Sequence, residues 1–301
     1  MNMQLGLAGY FRFEAVNAVT GEKRLLSDWQ PNLITEYGLE RIGSGGCITA
    51  VQVGSGQTTP TINDTQMAAF IAETTTTLGS STSGASSTAP YYGFIRRTFR
   101  FTTGAAQGNL SEVGIRGGPS LLFSRSLIKD ANGNPTTITV LANEFLDVTY
   151  ELRIYAPTVD VTSQFTLNGQ THDCIVRASQ CGNASFWSTS LHSFAANAIG
   201  GSGSGAQGST VFTGDIGSVT QGPSGTTASG LVTQKTYSNN SRYLEIDCDF
   251  DLNTANFVGG VRSLRASSNI GCYQAQFDPP IQKDNTKSLK LTFRFHWARK
   301  P

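Results

Sequence analysis

The chain has 301 residues, only 14% of them charged, and its formal net charge at pH 7 is +1. A chain with so little net charge has no long-range field to attract nucleic acid or an anionic membrane, so we expect neither as a partner. The low charge, together with 33 glycines and many Thr, Val, Phe and Tyr residues, favours strands over surface helices.

The start of the chain and its cysteines bear on where it folds. Residues 1–7 lack the charged start and apolar run of a signal peptide, and no stretch approaches the roughly 18 apolar residues of a membrane helix. An odd number of cysteines without framework spacing predicts free, buried thiols in a chain made in a reducing cytosol. The five cysteines are Cys47, Cys174, Cys181, Cys248 and Cys272.

In chain order, the first predicted elements are a hairpin over residues 4–26 and a short helix over residues 35–42 with Thr35 as its N-cap. A strand over residues 48–53 and a helical turn over residues 66–71 follow. The Thr-, Ser- and Gly-rich residues 74–89 predict a long exposed loop, because they bury too little apolar surface to offset their ordering entropy. Further strands are predicted at residues 91–101, 115, 121–127, 136–140 and 146–155.

Ala156-Pro157 interrupts the strand pattern, because Pro lacks a donor for the hydrogen-bond ladder. We therefore predict an N-terminal β-domain over residues 1–156 and a C-terminal β-domain over residues 157–301, each of a usual size. Glycine-rich turns between short strands predict an all-β fold of two tandem β-sandwich, jelly-roll-like domains. Strands of the second half are predicted at residues 164–167, 173–178, 211–214, 243–252, 272–277 and 288–297.

The two halves share an ordered set of phrases. Each ends in an alternating strand in which Thr precedes an aromatic residue, Thr149-Tyr150 and Thr292-Phe293, at an offset of 292 − 149 = 143 residues. Two further pairs are Leu127-Ile-Lys-Asp130 with Ile281-Gln-Lys-Asp284, and Val53–Pro60 with Ile216–Pro223. A repeat of this length predicts an internal duplication that gives two domains of one architecture.

One predicted strand has an acidic face. Glu245, Asp247, Asp249 and Asp251 alternate with apolar residues, so the carboxylates share one side of the strand. Asp247, Asp249 and Asp251 are weak candidates for a calcium site, because same-face residues lie about 7 Å apart, too far for all to reach one ion. A solvated or interface face is favoured, with Glu245 as an interface candidate.

The residues that catalysis or cofactor binding requires form no recognisable motif. Gly203-Ser-Gly-Ala-Gln-Gly208 has dinucleotide-binding spacing but leads into a predicted strand, so we interpret it as a loop. His172, Cys174 and Cys181 lack a fourth zinc ligand at suitable spacing. Neither His192 nor His296 lies in a catalytic motif. We expect no enzymatic activity, no cofactor and no metal.

Three aromatic residues, Tyr91, Tyr92 and Trp187, are candidates for an interface or for stacking on sugar rings. The alternative interpretation is that they belong to the core, as most aromatic residues in strands do. A glycan-binding surface would make the chain a carbohydrate-binding module that recognises host receptors.

Four phrases of the first half resemble tail-fibre and tail-appendage structural proteins of tailed bacteriophages, over about residues 10–155. These proteins share an Asn-Leu-Ile…Gly-Leu opening and a Gly-Asn-x-x-Glu-Val/Ile-Gly phrase. The corresponding phrases here are Trp29–Ile42, Val53–Pro60, Gly108–Ile115 and Phe123–Asp130 with the following Thr-Ile-Thr-Val140. In the third phrase, Glu112 is expected to hydrogen-bond across a neighbouring strand or subunit.

The resemblance implies a non-enzymatic virion structural protein, a tail fibre or tail-associated appendage whose first domain attaches to the particle. Its partners would be other copies of itself, other virion proteins and a host surface glycan, after assembly in the host cytoplasm. Capsid decoration or collar protein is the alternative within this class. Long strands such as residues 146–155 and 288–297 carry few charges that would guard an exposed edge, which favours a homo-oligomer.

Overall fold

The computed structural model describes residues 1–45, 47–118, 121–187, 208–268 and 271–300. Strands account for 55% and helices for 5% of the structure, so the predicted all-β class is confirmed, whereas two tandem sandwich domains are not established. His192 and most of the glycine-rich segment 203–208 lie outside the described residues. No helix in the described ranges is long and apolar enough to cross a membrane.

The chain forms two compact units. The N-unit comprises Leu7–Thr82 and Ile95–Arg153, and the C-unit comprises Met1–Gly6, Ser83–Phe94 and Ile154–Pro301. The chain therefore passes between the units several times, and the last passage, after Arg153, lies close to the predicted boundary at residues 156 and 157. The predicted division into two consecutive domains stays a prediction.

The elements up to residue 155 are twelve strands and one helix. They are β1 (Asn2–Asn17), β2 (Lys23–Pro31), β3 (Leu33–Ile34), α1 (Glu36–Ser44), β4 (Ala50–Gly54), β5 (Phe70–Thr74), β6 (Thr82–Ala85), β7 (Tyr92–Phe101), β8 (Gly108–Leu110), β9 (Glu112–Gly117), β10 (Leu121–Leu127), β11 (Ile138–Val140) and β12 (Glu144–Tyr155). Within the N-unit, β1 and β2 form the predicted hairpin, and five strands pair in the order β3-β10-β9-β4-β5. The short strands β8 and β11 pair with each other, and β12 lies beside β7.

Helix α1 confirms the predicted helix and its cap. Thr35 Oγ1 accepts a hydrogen bond from the Gly38 amide at 2.9 Å, which satisfies one of the free amides of the first turn. The same hydroxyl donates to the Leu122 carbonyl at 2.6 Å, so the cap also ties the helix to β10. Leu39 and Ile42 are buried on one face of the helix.

Of two predictions for residues 66–89, one is wrong and the other is confirmed in part. The predicted helical turn at residues 66–71 is irregular and leads into strand β5, which pairs with β4. Residues 74–89 are exposed or half-buried, as predicted, but they do not form a loop throughout, because they contain strand β6 and a backbone bridge between Thr77 and Phe99. Pairing with neighbouring strands supplies the hydrogen bonds that local composition did not indicate.

The C-unit continues with β13 (Val161–Leu167), β14 (Gln170–Ala178), α2 (Ala184–Trp187), β15 (Gly208–Phe212), β16 (Thr227–Gln234), β17 (Tyr243–Phe250), β18 (Val261–Ser268), β19 (Gly271–Ile281) and β20 (Leu289–Arg299). These strands are antiparallel and follow the order β13-β14-β19-β18-β15-β16-β17-β20. In the sheet order β12 and β20 each have a neighbour on both sides, so the expectation that they are open edges is wrong.

Period-two burial builds the core of each unit. Phe99, Phe101, Leu146 and Val148, the predicted core of the first half, are all buried, which confirms the predicted strand faces. In the C-unit, alternation along β20 buries Phe293 and Phe295 together.

The predicted free, buried cysteines are confirmed as well, since all five are buried and unpaired. Burial raises the pKa of the Cys47, Cys181, Cys248 and Cys272 thiols to about 12. At neutral pH these side chains are therefore protonated and behave as small apolar groups.

Candidate functional site

The N-unit contains a fully buried carboxylate, that of Glu112, which lies in the phrase Gly108–Ile115. Glu112 opens strand β9 and accepts three backbone hydrogen bonds, from the amides of Gly56 at 3.1 Å, Ala68 at 3.1 Å and Ala69 at 2.7 Å. Both ends of the segment between β4 and β5 are thereby attached to one side chain. Such bonds to an ionised acceptor are stronger than those between neutral groups.

Arg125 in β10 balances the charge of Glu112. Its Nε donates to Glu112 Oε2 at 2.8 Å, its Nη1 to Asp64 Oδ2 at 2.7 Å and its Nη2 to the Thr58 carbonyl at 2.9 Å. The Arg125 side chain is only 3% exposed, so this ion pair has little screening by water. We call Glu112, Arg125 and Asp64, with the segment 54–69 that they hold, the charged clamp.

Asp64 is the more exposed carboxylate of the charged clamp. Partial burial would raise the pKa of Asp64, but hydrogen bonds from Thr61 and Arg125 outweigh that effect and leave its pKa below the ordinary value. Its ionised form is therefore favoured in the folded protein.

Glycine is required where the segment passes Glu112. A Cβ atom at Gly54 would lie 2.3 Å from the Ala69 carbonyl oxygen, and one at Gly56 would lie 2.4 Å from Glu112 Oε1. Neither distance is tolerable for a side chain, so the Gly-Ser-Gly spacing follows from the close approach of backbone to carboxylate.

All four phrases that carry the bacteriophage resemblance meet around β10. The third phrase contributes the charged side chain of Glu112, and the fourth contributes that of Arg125. The second phrase contributes the Gly56 amide and the Thr58 carbonyl. The first contributes Thr35, described above, and Asn32, whose Nδ2 donates to Ser124 Oγ at 2.7 Å. Glu112 thus bonds within its own chain, and its contacts make it a structural residue.

The C-unit holds a loop with a neutral side chain. Gln274 in β19 is fully buried; its Oε1 accepts from the Gly217 amide at 3.0 Å, and its Nε2 donates to the carbonyls of Gly217 and Ser218, each at 3.0 Å. We call Gln274 with residues 214–221 the neutral clamp. Gly217 belongs to the phrase that the sequence pairs with the phrase containing Gly56.

The predicted acidic face is neutralised within the chain. Arg294 Nη2 lies 2.7 Å from Glu245 Oε1, Thr292 Oγ1 donates to Asp247 Oδ1 at 2.7 Å, and Lys290 Nζ lies 3.3 Å from Asp249 Oδ1. The Arg294 hydrogen bond lowers the pKa of Glu245, against a smaller opposing effect of burial. For Asp247 burial is the largest influence and raises the pKa, but Thr292, Lys235 and Lys290 together lower it below the ordinary value.

Asp251 lies beyond the end of β17, so its predicted place on the acidic face is wrong. Its carboxylate accepts from the Asn253 amide at 2.9 Å and from Thr254 Oγ1 at 2.6 Å, which closes a turn. Among the residues that the structure describes, no group of three or more His, Cys, Asp or Glu side chains could hold a metal ion.

The N-unit carries a similar cross-strand ladder between β7 and β12. Arg100 Nη2 lies 2.7 Å from Asp147 Oδ2, and Arg96 Nε donates to Glu151 Oε2 at 2.8 Å. Between these two ion pairs the hydroxyls of Thr98 and Thr149 are 2.9 Å apart.

The aromatic candidates have different environments. Trp187 is 1% exposed and donates from Nε1 to the Ser179 carbonyl at 2.9 Å, so its predicted availability to a sugar is wrong. Tyr91 is half-buried, and the half-buried Tyr92 packs against Tyr155 at 5.1 Å. The free surface of this pair is therefore limited.

The two histidines within the described ranges have structural environments. Buried His172 has its Nδ1 2.6 Å from the Pro279 carbonyl and stacks on Phe165, and His296 packs on the Tyr243 ring. Burial, followed by the charge of Arg294, lowers the pKa of His296, so its neutral form is favoured.

Comparison with known proteins gives no assignment: no family matches this chain, and neither a curated protein nor a solved structure matches it.

Proposed function

We propose that this chain is a non-enzymatic structural protein of a bacteriophage virion, a tail fibre or tail-associated appendage. The observation that carries the proposal is the charged clamp, because the four phrases of the resemblance meet there and hold one another in place. Buried charged side chains that fix a loop in one conformation suit a durable particle component. The protein is assembled in the host cytoplasm and has its place in the virion.

The order of strand pairing supports the internal duplication as part of this proposal. The N-unit order β3-β10-β9-β4-β5 corresponds to the C-unit order β14-β19-β18-β15-β16, and the pair β7-β12 corresponds to β17-β20. Leu127 and Ile281, which open the paired Lys-Asp phrases, end the corresponding strands β10 and β19. A crystal structure with Tyr150 and Phe293 at unrelated strand positions would refute the duplication.

We propose that the protein acts as a homo-oligomer that also binds other virion proteins. Strand β5 ends the five-stranded sheet of the N-unit, and its Phe70 and Ile71 side chains are 56% and 38% exposed. Exposed apolar residues on an end strand favour pairing with a second copy. Light scattering of the purified protein tests this; a monomer in solution that also stands isolated on virions would contradict it.

Gold labelling of the protein on intact virions tests the assignment to the tail. Label confined to the tail or its appendages is the expected result. Label spread over the head would instead identify a capsid decoration protein, and label at the neck a collar protein.

The second candidate function is recognition of host glycans through a carbohydrate-binding surface. The half-buried pair Tyr91 and Tyr92 favours it, although Trp187 no longer does. A glycan array and a clearing assay on host polysaccharide separate the outcomes. Binding without clearing supports a receptor-binding appendage, and clearing would overturn the non-enzymatic assignment.

A further inference from the structure

Arg265 occupies an unusual electrostatic position in the C-unit. It lies in β18, where it pairs with Thr210 of β15 and Gln274 of β19. Its guanidinium carbon is 5.5 Å from the centre of the Phe186 ring and 5.6 Å from that of Phe212. Two aromatic rings therefore restrict the guanidinium and attract its charge.

The charge of Arg265 is not paired with a carboxylate in the described part of the chain. Three other C-unit arginines have such partners: Arg177 has Asp160, Arg262 has Asp215 and Asp278, and Arg294 has Glu245. Residues 188–207 contain neither Asp nor Glu, so no side chain of that stretch could supply the missing charge. The guanidinium also makes no hydrogen bond within the described ranges, which leaves its donors available.

A second set of donors approaches the same place. A Cβ atom at Gly222 would lie 3.0 Å from Gln180 Nε2 and 3.6 Å from Arg265 Nη1, so both groups border the space that this glycine leaves open. Gln180 has φ 55, a left-handed backbone conformation that is uncommon for residues other than glycine. The backbone amide of Gln180 donates to the Gln221 carbonyl at 3.4 Å, which holds Gln180 beside the loop that contains Gly222.

We propose that Arg265 and Gln180 form a binding site for the carboxylate group of an acidic sugar. The guanidinium fork matches the two oxygens of a carboxylate, and the Gln180 amide supplies a further donor. Half-buried Phe186 adds apolar surface beside these donors, which suits the C–H groups of a sugar ring. The site is independent of the charged clamp and of the proposed place in the virion.

Titration of the full-length protein with D-glucuronate, followed by NMR, tests this site. We expect shifts of the Gln180 and Gly222 backbone amide signals with glucuronate and none with glucose. Arg265→Gln should weaken binding about tenfold or more, the effect of losing one hydrogen-bonded charge. Arg262→Gln is the matched control on the same strand and should bind as the wild type does.

The alternatives give different results. Unchanged binding by Arg265→Gln in a variant with a wild-type circular dichroism spectrum would overturn the proposal. So would equal binding of glucose, or absence of binding by the wild type at millimolar glucuronate. Tighter binding of a short glutamate peptide at Arg265 would assign the site to a protein partner and would also overturn the proposal.

Discussion

The charged clamp of the N-unit and the neutral clamp of the C-unit both hold a loop against a strand, one with an ion pair and the other with an uncharged side chain. Each holds the segment after an early strand by bonding a glycine amide, of Gly56 in one unit and Gly217 in the other. Glu112 can only accept hydrogen bonds and carries a charge, so it needs Arg125. The Gln274 amide both accepts and donates, so backbone groups alone complete its hydrogen bonds and no charged partner is needed.

The same relation extends to the cross-strand ladders. In each unit a hydroxyl group of the last strand lies between two ion pairs, and the signs of the charges are reversed at an offset of 290 − 147 = 294 − 151 = 143 residues. The last strands carry Asp147, Thr149 and Glu151 in one unit and Lys290, Thr292 and Arg294 in the other. In both ladders opposite charges face each other across the strands, and the strand that carries the positive charges differs between the units.

The largest expected effect is on the charged clamp. Glu112→Gln should lower the free energy of unfolding by about 3–5 kcal/mol, because it removes the fully buried partner charge of Arg125 and leaves only the more exposed Asp64 to balance it. Urea denaturation measures the change. The double variant Glu112→Gln/Arg125→Met should be less destabilised than Glu112→Gln, and an equal or larger loss would contradict this account.

A smaller loss is expected in the neutral clamp. Gln274→Ala leaves the Gly217 amide without its acceptor, whereas the Gly217 and Ser218 carbonyls keep other donors, Arg177 and the Gln221 amide. We expect a loss of about 1–3 kcal/mol in the free energy of unfolding. The same urea assay applies, with the exposed residue Gln282→Ala as a control. A loss as large as that of Glu112→Gln would erase the distinction between the two clamps.

Reversing one ladder tests whether the sign of its charges matters. Arg100→Asp and Asp147→Arg should each destabilise the N-unit, whereas the double variant should regain about 1 kcal/mol of coupling energy. A double-mutant cycle in thermal or urea unfolding gives this value. Simple additivity of the two losses would show that the ladder does not depend on pairing.

The smallest effect is the response of the charged clamp to acid. The folded-state pKa of Asp64 is lowered, so its contribution to stability is complete above the ordinary carboxyl pKa of about 4 and disappears as the pH falls through the folded-state value. Asp64→Asn should therefore lose less stability than the wild type when the pH falls from about 6 to about 3. Parallel curves for the two proteins, measured by urea unfolding, would contradict the assignment.

Local signals in the sequence sufficed to predict the first helix and several long strands, although not the partners of those strands. Residues 35–42 with Thr35 as N-cap predicted α1, and alternation predicted β7, β12 and β20. Residues 66–71 have helical composition, but Glu112 accepts hydrogen bonds from the Ala68 amide and from the Ala69 amide, which a helix would bond to the Thr65 carbonyl. The backbone partners of Glu112 lie 43 to 56 residues away in the chain, a distance at which spacing carries no information.

The candidate sites were less predictable than the strands for the same reason. Alternation placed Glu245 and Asp247 on one face but gave no sign that Thr292 and Arg294 stand opposite them. Trp187 lies in a polar stretch and was predicted to be exposed to an interface or a sugar, yet its ring packs on Tyr273, a residue distant in the sequence. Burial of such a residue depends on the folded neighbour, which composition does not identify.

The five buried thiols make the fold indifferent to a change of oxidising conditions. Disulfide exchange and oxidation proceed through an accessible thiolate, and these cysteines are neither accessible nor ionised. A protein with such thiols would pass from reducing to oxidising conditions without crosslinking to its neighbours. Thiol reagents should consequently find nothing to label until the chain unfolds, when all five groups become reactive together.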